Sequence, residues 1–271
     1  MTFELADGRR LGWAEYGDPA GAPIVFLHGT PGSRLFRPSS GLAGVRLITI
    51  DRPGYGESSP ARQPMLLGVA DAVGALTASF GIDSFGVVGF SGGTPYALAC
   101  GVRLGRRVGA IAVAGMTGPD RELGTVHGRE RLLAMALRHL PGVGAWYVRR
   151  AAADYAEDPV KHHRALLAAG NDPHLTADES SNWEAARQGS AGLVGDWLAT
   201  DVHRWRFRLA DVAQPVLIWA GRGDPGRAVP DAALMAARLP RATVVIAEDA
   251  GHTPSPWHWQ HILDVVTRKS D

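Results

Sequence analysis

The chain has 271 residues, 28 Lys and Arg against 27 Asp and Glu, and a formal net charge of +1. That length can bury a substantial core, and the scattered basic residues form no stripe that could track phosphates, so nucleic acid is excluded as an expected partner. The amino-terminal Met1 to Arg10 lacks a secretory pattern, the apolar runs are too short to cross a bilayer, and the lone Cys100 can form no internal disulfide, so the expectation is a soluble cytoplasmic protein without membrane contact.

In chain order, residues 2 to 17 read as an antiparallel edge hairpin turning at Asp7-Gly8. Ile24 to Leu27 is an unbroken apolar run of the sort that strands covered on both faces display, and it ends at His28-Gly29. Similar runs recur at Val45 to Ile50, Phe85 to Val88, Val108 to Val113, Val216 to Trp219 and Thr243 to Ile246. Between them, Leu66 to Phe80, Thr94 to Leu104, Ala228 to Leu239 and Trp257 to Thr267 have helical composition. Alternating strand and helix predict an α/β fold with a mostly parallel sheet flanked by helices.

The stretch from about Gly118 to Leu209 breaks this alternation. It is rich in Ala, Leu, Arg and Trp and reads as an all-helical insertion, with helices over Arg129 to His139, Ala145 to Ala156, Pro159 to Ala169, Thr176 to Gln188 and Ala191 to Thr200. Pro141, Asp158-Pro159 and Asp172-Pro173 are read as breaks. The expected organisation is a core domain of residues 1–117 and 210–271, interrupted by an insertion of residues 118–209. Trp146, Trp183, Trp197 and Trp205 in this insertion either pack it against the sheet or line a pocket; as a group they favour a small-molecule substrate with an apolar portion.

Chemistry concentrates at strand ends. Gly89-Phe90-Ser91-Gly92-Gly93 lies directly between a strand and a helix, where flanking glycines permit the sharp turn that exposes a serine hydroxyl above a helix amino terminus. A serine hydroxyl is a weak nucleophile, so Ser91 needs a base, and the base needs a carboxylate to orient it. Gly251-His252 and Gly221-Arg222-Gly223-Asp224 each follow a predicted parallel strand, which makes His252 the candidate base and Asp224 its candidate partner. The oxyanion of an acyl-transfer intermediate requires two preorganised N–H donors; the amides of Gly92 and Thr30 are the candidates. His28 is expected to brace the Thr30 loop, and Asp51 to anchor the loop that runs to Ser58. His162-His163 and His258-x-x-His261 lack companion ligands at metal spacing, so neither metal nor cofactor is expected. Oligomeric state is left open.

Five segments, His28 to Gly32, Asp51 to Ser58, Gly89 to Gly93, Gly221 to Asp224 and Gly251-His252, together resemble the α/β-hydrolase superfamily. The resemblance implies a serine hydrolase with an α/β-hydrolase fold, the insertion forming a helical cap over the active site. In some members the acid follows the preceding strand, and there Asp120 is the alternative to Asp224. The His-Gly-x-Pro-Gly loop is similar to that of proline iminopeptidases, but Phe90 and Gly92 depart from the Gly and Trp usual in those enzymes. Ser91 stands where related dehalogenases and epoxide hydrolases carry aspartate. The implied reaction is hydrolysis of an ester, lactone or thioester; carbon–carbon or amide hydrolysis, perhydrolysis, or a ligand receptor built on the same site are the alternatives.

Overall fold

The computed structural model describes residues 1–38, 40–61, 66–115, 140–161, 179–202, 205–224 and 228–268. Eight strands form one sheet: β1 (Thr2–Glu4), β2 (Arg10–Gly17), β3 (Ala22–Leu27), β4 (Val45–Ile50), β5 (Phe85–Phe90), β6 (Val108–Ala114), β7 (Val216–Gly221) and β8 (Ala242–Ala247). Their spatial order is β1-β2-β4-β3-β5-β6-β7-β8. The amino-terminal hairpin is antiparallel and pairs β2 antiparallel to β4, whereas β4, β3, β5, β6, β7 and β8 run parallel. The expected α/β fold is therefore present.

The unbroken apolar runs have a direct structural reason. Successive side chains of a strand point to opposite faces, so a strand buried on both sides must be apolar at every position. Val25 and Leu27 of β3 join one core with α1 (Leu66–Ser79), α2 (Thr94–Leu104) and α6 (Ala228–Ala236), while Ile24 and Phe26 join another under α7 (Pro256–Thr267). Helix α7 begins where the sequence allows a start: the Ser255 hydroxyl accepts from the His258 amide, and Pro256 occupies the first turn, where its missing N–H costs nothing.

Between residues 118 and 209, the described residues form α3 (Pro141–Ala151), α4 (Glu179–Ala185) and α5 (Ala191–Trp197), the last running on into a wider turn over Leu198–Val202. Pro141, read as a break between helices, opens α3 at its first turn, so that helix begins four residues earlier than composition suggested. The helix expected over 129–139 and most of that over 159–169 lie outside the described residues, as do the boundary near 117 and His162-His163. Val148, Ala152, Tyr155, Leu193, Val194 and Leu198 form a small apolar cluster apart from the two that line the sheet. Trp205 belongs to the main core beside Phe207 and Trp197 packs on the smaller cluster, but Trp146 and Trp183 are exposed. Among the described residues, no helix is long and apolar enough to cross a membrane.

Candidate active site

Ser91 follows β5 immediately and opens the tight turn Ser91–Gly93 that leads into α2. Its φ is +49°, a left-handed conformation uncommon for a residue with a side chain and costly unless the surroundings enforce it. The surroundings do so by close packing: a Cβ on Gly93 would lie 2.2 Å from the Leu27 carbonyl oxygen. The glycine there lets the turn sit against the end of β3, and the strained serine is presented at the carboxyl edge of the sheet.

Two loops bring the partners. The segment after β7 carries Asp224 and the segment after β8 carries His252, and the Gly223 amide donates to the Ala250 carbonyl at 2.9 Å, fastening one loop to the other. His252 Nε2 lies 3.0 Å from Ser91 Oγ, and Nδ1 lies 2.8 Å from Asp224 Oδ2. The carboxylate is almost wholly buried (4% exposed) while the imidazole keeps a wetter edge (23%), an arrangement that holds one ring nitrogen inside and leaves the other facing the hydroxyl. Asp120 lies outside the described residues.

The loop after β3 abuts the turn. A Cβ on Gly92 would lie 2.2 Å from Thr30 Oγ1 and 3.2 Å from the Thr30 nitrogen, and one on Gly29 would lie 3.3 Å from Ser91 Cβ. Thr30 and Gly92 are thus side by side at the serine.

Behind them, His28 is buried, its Nδ1 donating to the Gly29 carbonyl at 2.7 Å and its Nε2 accepting from the Arg52 amide at 3.3 Å. Burial and the neighbouring Arg52 cation hold its pKa well below the usual 6.5, so it braces the loop as a neutral ring. Asp51 accepts from the amides of Arg34 and Glu57 and pairs with the Arg34 guanidinium at 2.6 Å, which in turn reaches Glu184 of α4. Burial raises the Asp51 pKa against the pull of these donors.

Several participants were not singled out from the sequence. Phe36 stacks on Phe90 with centroids 5.1 Å apart, and Phe90 leans on the His252 ring at 5.4 Å, giving the imidazole an aromatic neighbour. Arg34 likewise reaches Glu184 of α4, and Arg52 reaches Asp196 of α5, across more than a hundred residues of sequence, a separation at which local pattern carries no signal. Among the described residues, no group of three or more His, Cys, Asp or Glu side chains is placed to hold a metal ion. His258 instead caps α7 through Ser255, at 2.8 Å.

A mostly parallel sheet with a strained serine after its central strand and a histidine and carboxylate from two later strand ends defines the α/β-hydrolase class of enzyme. The chain belongs to the alpha/beta hydrolase family, which residues 24–267 match. It is 31% identical over 227 residues to the pimeloyl-[acyl-carrier protein] methyl ester esterase of Aromatoleum aromaticum, an alignment covering 78% of this chain and 82% of that one. A proline iminopeptidase of Neisseria gonorrhoeae is 27% identical over 120 residues, 42% of this chain and 39% of the other. Among solved structures, the esterase EaEST from Exiguobacterium antarcticum superposes with a TM-score of 0.75 over 99% of both chains at 19% identity, a likeness of fold.

Proposed function

We propose that the enzyme hydrolyses a carboxylic ester, lactone or thioester through an acyl-enzyme on Ser91. The observation that carries this reading is the bridging imidazole of His252, within hydrogen-bond distance of Ser91 Oγ on one side and of Asp224 Oδ2 on the other. In the reactive tautomer, Nδ1–H donates to Asp224 and Nε2 accepts the proton of the Ser91 hydroxyl as Oγ attacks the substrate carbonyl. The resulting oxyanion is held by the amides of Thr30 and Gly92; each such donor is worth on the order of a hundredfold or more in rate. Collapse of the intermediate breaks the bond to the alcohol or thiol, which leaves with the proton from His252. Water then attacks the acyl group with the same histidine as base, releasing the acid and restoring Ser91.

Two further points support this reading. The aromatic pair of Phe36 and Phe90 beside His252 suits an apolar portion of the substrate, and the relative from Aromatoleum aromaticum is named for cleavage of a methyl ester. The described helices α3, α4 and α5 of residues 118–209, tethered to the core by Arg34–Glu184, belong to a cap that frames the substrate.

A panel of aryl and alkyl esters, lactones, thioesters and amides, assayed on wild type and Ser91→Ala, tests the proposal. Turnover of oxygen or sulfur esters that rises with acyl hydrophobicity and falls by about a millionfold in Ser91→Ala is expected. Equal rates in the two proteins would sink it.

A further inference from the structure

Among the described residues, a dense cluster of buried polar groups outside the Ser91–His252–Asp224 contact lies where α5 meets the loops after β3 and β4. Asp196 of α5 is 3% exposed and Arg52 is fully buried. Asp196 Oδ1 accepts from Arg52 Nε at 3.0 Å and from the Tyr96 hydroxyl at 2.7 Å. Its Oδ2 accepts from Arg52 Nη2 at 2.5 Å, the Tyr55 hydroxyl at 2.9 Å and Thr30 Oγ1 at 2.6 Å. Burial alone would raise the carboxyl pKa, but Arg52 and the Thr30 hydroxyl outweigh it and hold the group below its usual range. A carboxylate offers about four lone-pair sites. Five donors already compete for these, which leaves Asp196 no capacity to bind a substrate or serve as a base.

What the cluster does hold is the loop before the serine. Arg52 Nη1 donates to the His28 carbonyl, and Nη2, whose two hydrogens are shared among three acceptors, also reaches the Gly29 carbonyl at 3.0 Å and Thr30 Oγ1 at 2.9 Å. The Gly29 carbonyl is thus fixed by two donors, Arg52 and His28. In a planar trans peptide the following N–H points opposite to the carbonyl, so turning the Gly29 oxygen toward Arg52 turns the Thr30 amide away from it. The Thr30 hydroxyl, which faces Gly92, is locked to Asp196 at the same time.

We propose that Asp196, contributed by the insertion, is a positioning residue for the oxyanion site: through Arg52 and the Thr30 hydroxyl it sets the direction of the Thr30 amide. The inference rests on Ser91 being the nucleophile and adds that the insertion takes part in the chemical step as well as in substrate access. An amide held by such a scaffold is preorganised for charge that develops only in the transition state, so loosening it lowers kcat more than it raises KM.

The test is a double-mutant cycle on purified Thr30→Val, Thr30→Ser, Asp196→Asn and the double variant Thr30→Val/Asp196→Asn, with kcat and KM measured on one aryl ester and folding checked by circular dichroism. Thr30→Val and Asp196→Asn are each expected to lower kcat by about ten- to a hundredfold with KM within about threefold. Thr30→Ser, which keeps the hydroxyl, should stay within about threefold of wild type, and the double variant should be no more than about threefold worse than the poorer single variant. Multiplying losses in the double variant would overturn the proposal. Thr30→Val leaves the Arg52–Asp196 pair in place, so wild-type kcat in that folded variant refutes the proposal even if Asp196→Asn aggregates. A wild-type protein with no esterase turnover and no fluorophosphonate adduct on Ser91 would instead remove the nucleophile assignment itself.

Discussion

Replacing Arg52 by Met isolates the cost of the buried ion pair. Arg52 has no exposure and Asp196 almost none, so the variant strands a carboxylate in the interior with only the hydroxyls of Thr30, Tyr55 and Tyr96 as donors. It also takes donors from the carbonyls of His28 and Gly29. Breaking one side of a buried pair costs about 3–5 kcal/mol. At about 2 °C per kcal/mol for a chain near this size, the melting temperature should fall by about 6–10 °C. Urea unfolding followed by tryptophan fluorescence, with the slope compared between variants, measures the free energy. The diagnostic variant is Arg52→Met/Asp196→Asn. Neutralising the stranded carboxylate should recover part of the loss and leave the double variant more stable than Arg52→Met alone. A cost below about 1 kcal/mol for Arg52→Met, or two losses that simply add, would refute the reasoning.

Other expectations follow from single sites. Asp224→Asn should lower kcat by about a thousand- to ten-thousandfold while leaving the melting temperature nearly unchanged, because it disturbs the tautomer of His252 more than its packing. His28 has a folded pKa below 6.5, so below that pH the unfolded chain binds a proton that the native state refuses. Stability is then lost as pH falls below about 6.5, by up to about 1.4 kcal/mol per pH unit; urea midpoints at pH 7.5 and 5.5 should show a smaller drop in His28→Gln than in wild type. Burial pushes the Cys100 thiol up to about 12, so thiol reagents should leave the native enzyme active and modify Cys100 only in denaturant.

The core strands were legible from their largely apolar runs, which β3, β5 and β7 owe to burial on both faces; β4 spans Val45–Ile50 as expected although Arg46 and Thr49 interrupt its apolar run, and β8, partly exposed at the sheet edge, extends its expected run by one residue at each end. The neighbourhood of Ser91 was legible for a related reason. Its glycines are required by contacts as close as that between Gly93 and the Leu27 carbonyl, and such constraints leave a mark in the residues themselves. The insertion was harder to read. Its helices are short, Pro141 serves equally as a stop or a start, and the outward-facing Trp146 and Trp183 imitate pocket-lining aromatics in composition alone. Asp196 sits in an unremarkable Gly-Leu-Val-Gly-Asp-Trp segment, and its importance comes from Arg52, 144 residues away in the chain. Long-range pairing of this kind is decided by the fold and leaves no local pattern.

Mass spectrometric mapping of the adduct formed with a fluorophosphonate tests whether Ser91 is the nucleophile. One stoichiometric phosphonylation is expected, on Ser91, with loss of esterase turnover in parallel and labelling slowed by at least about a hundredfold in His252→Ala. An active protein whose adduct maps to another residue, or which retains turnover after Ser91 is fully modified, would contradict that assignment.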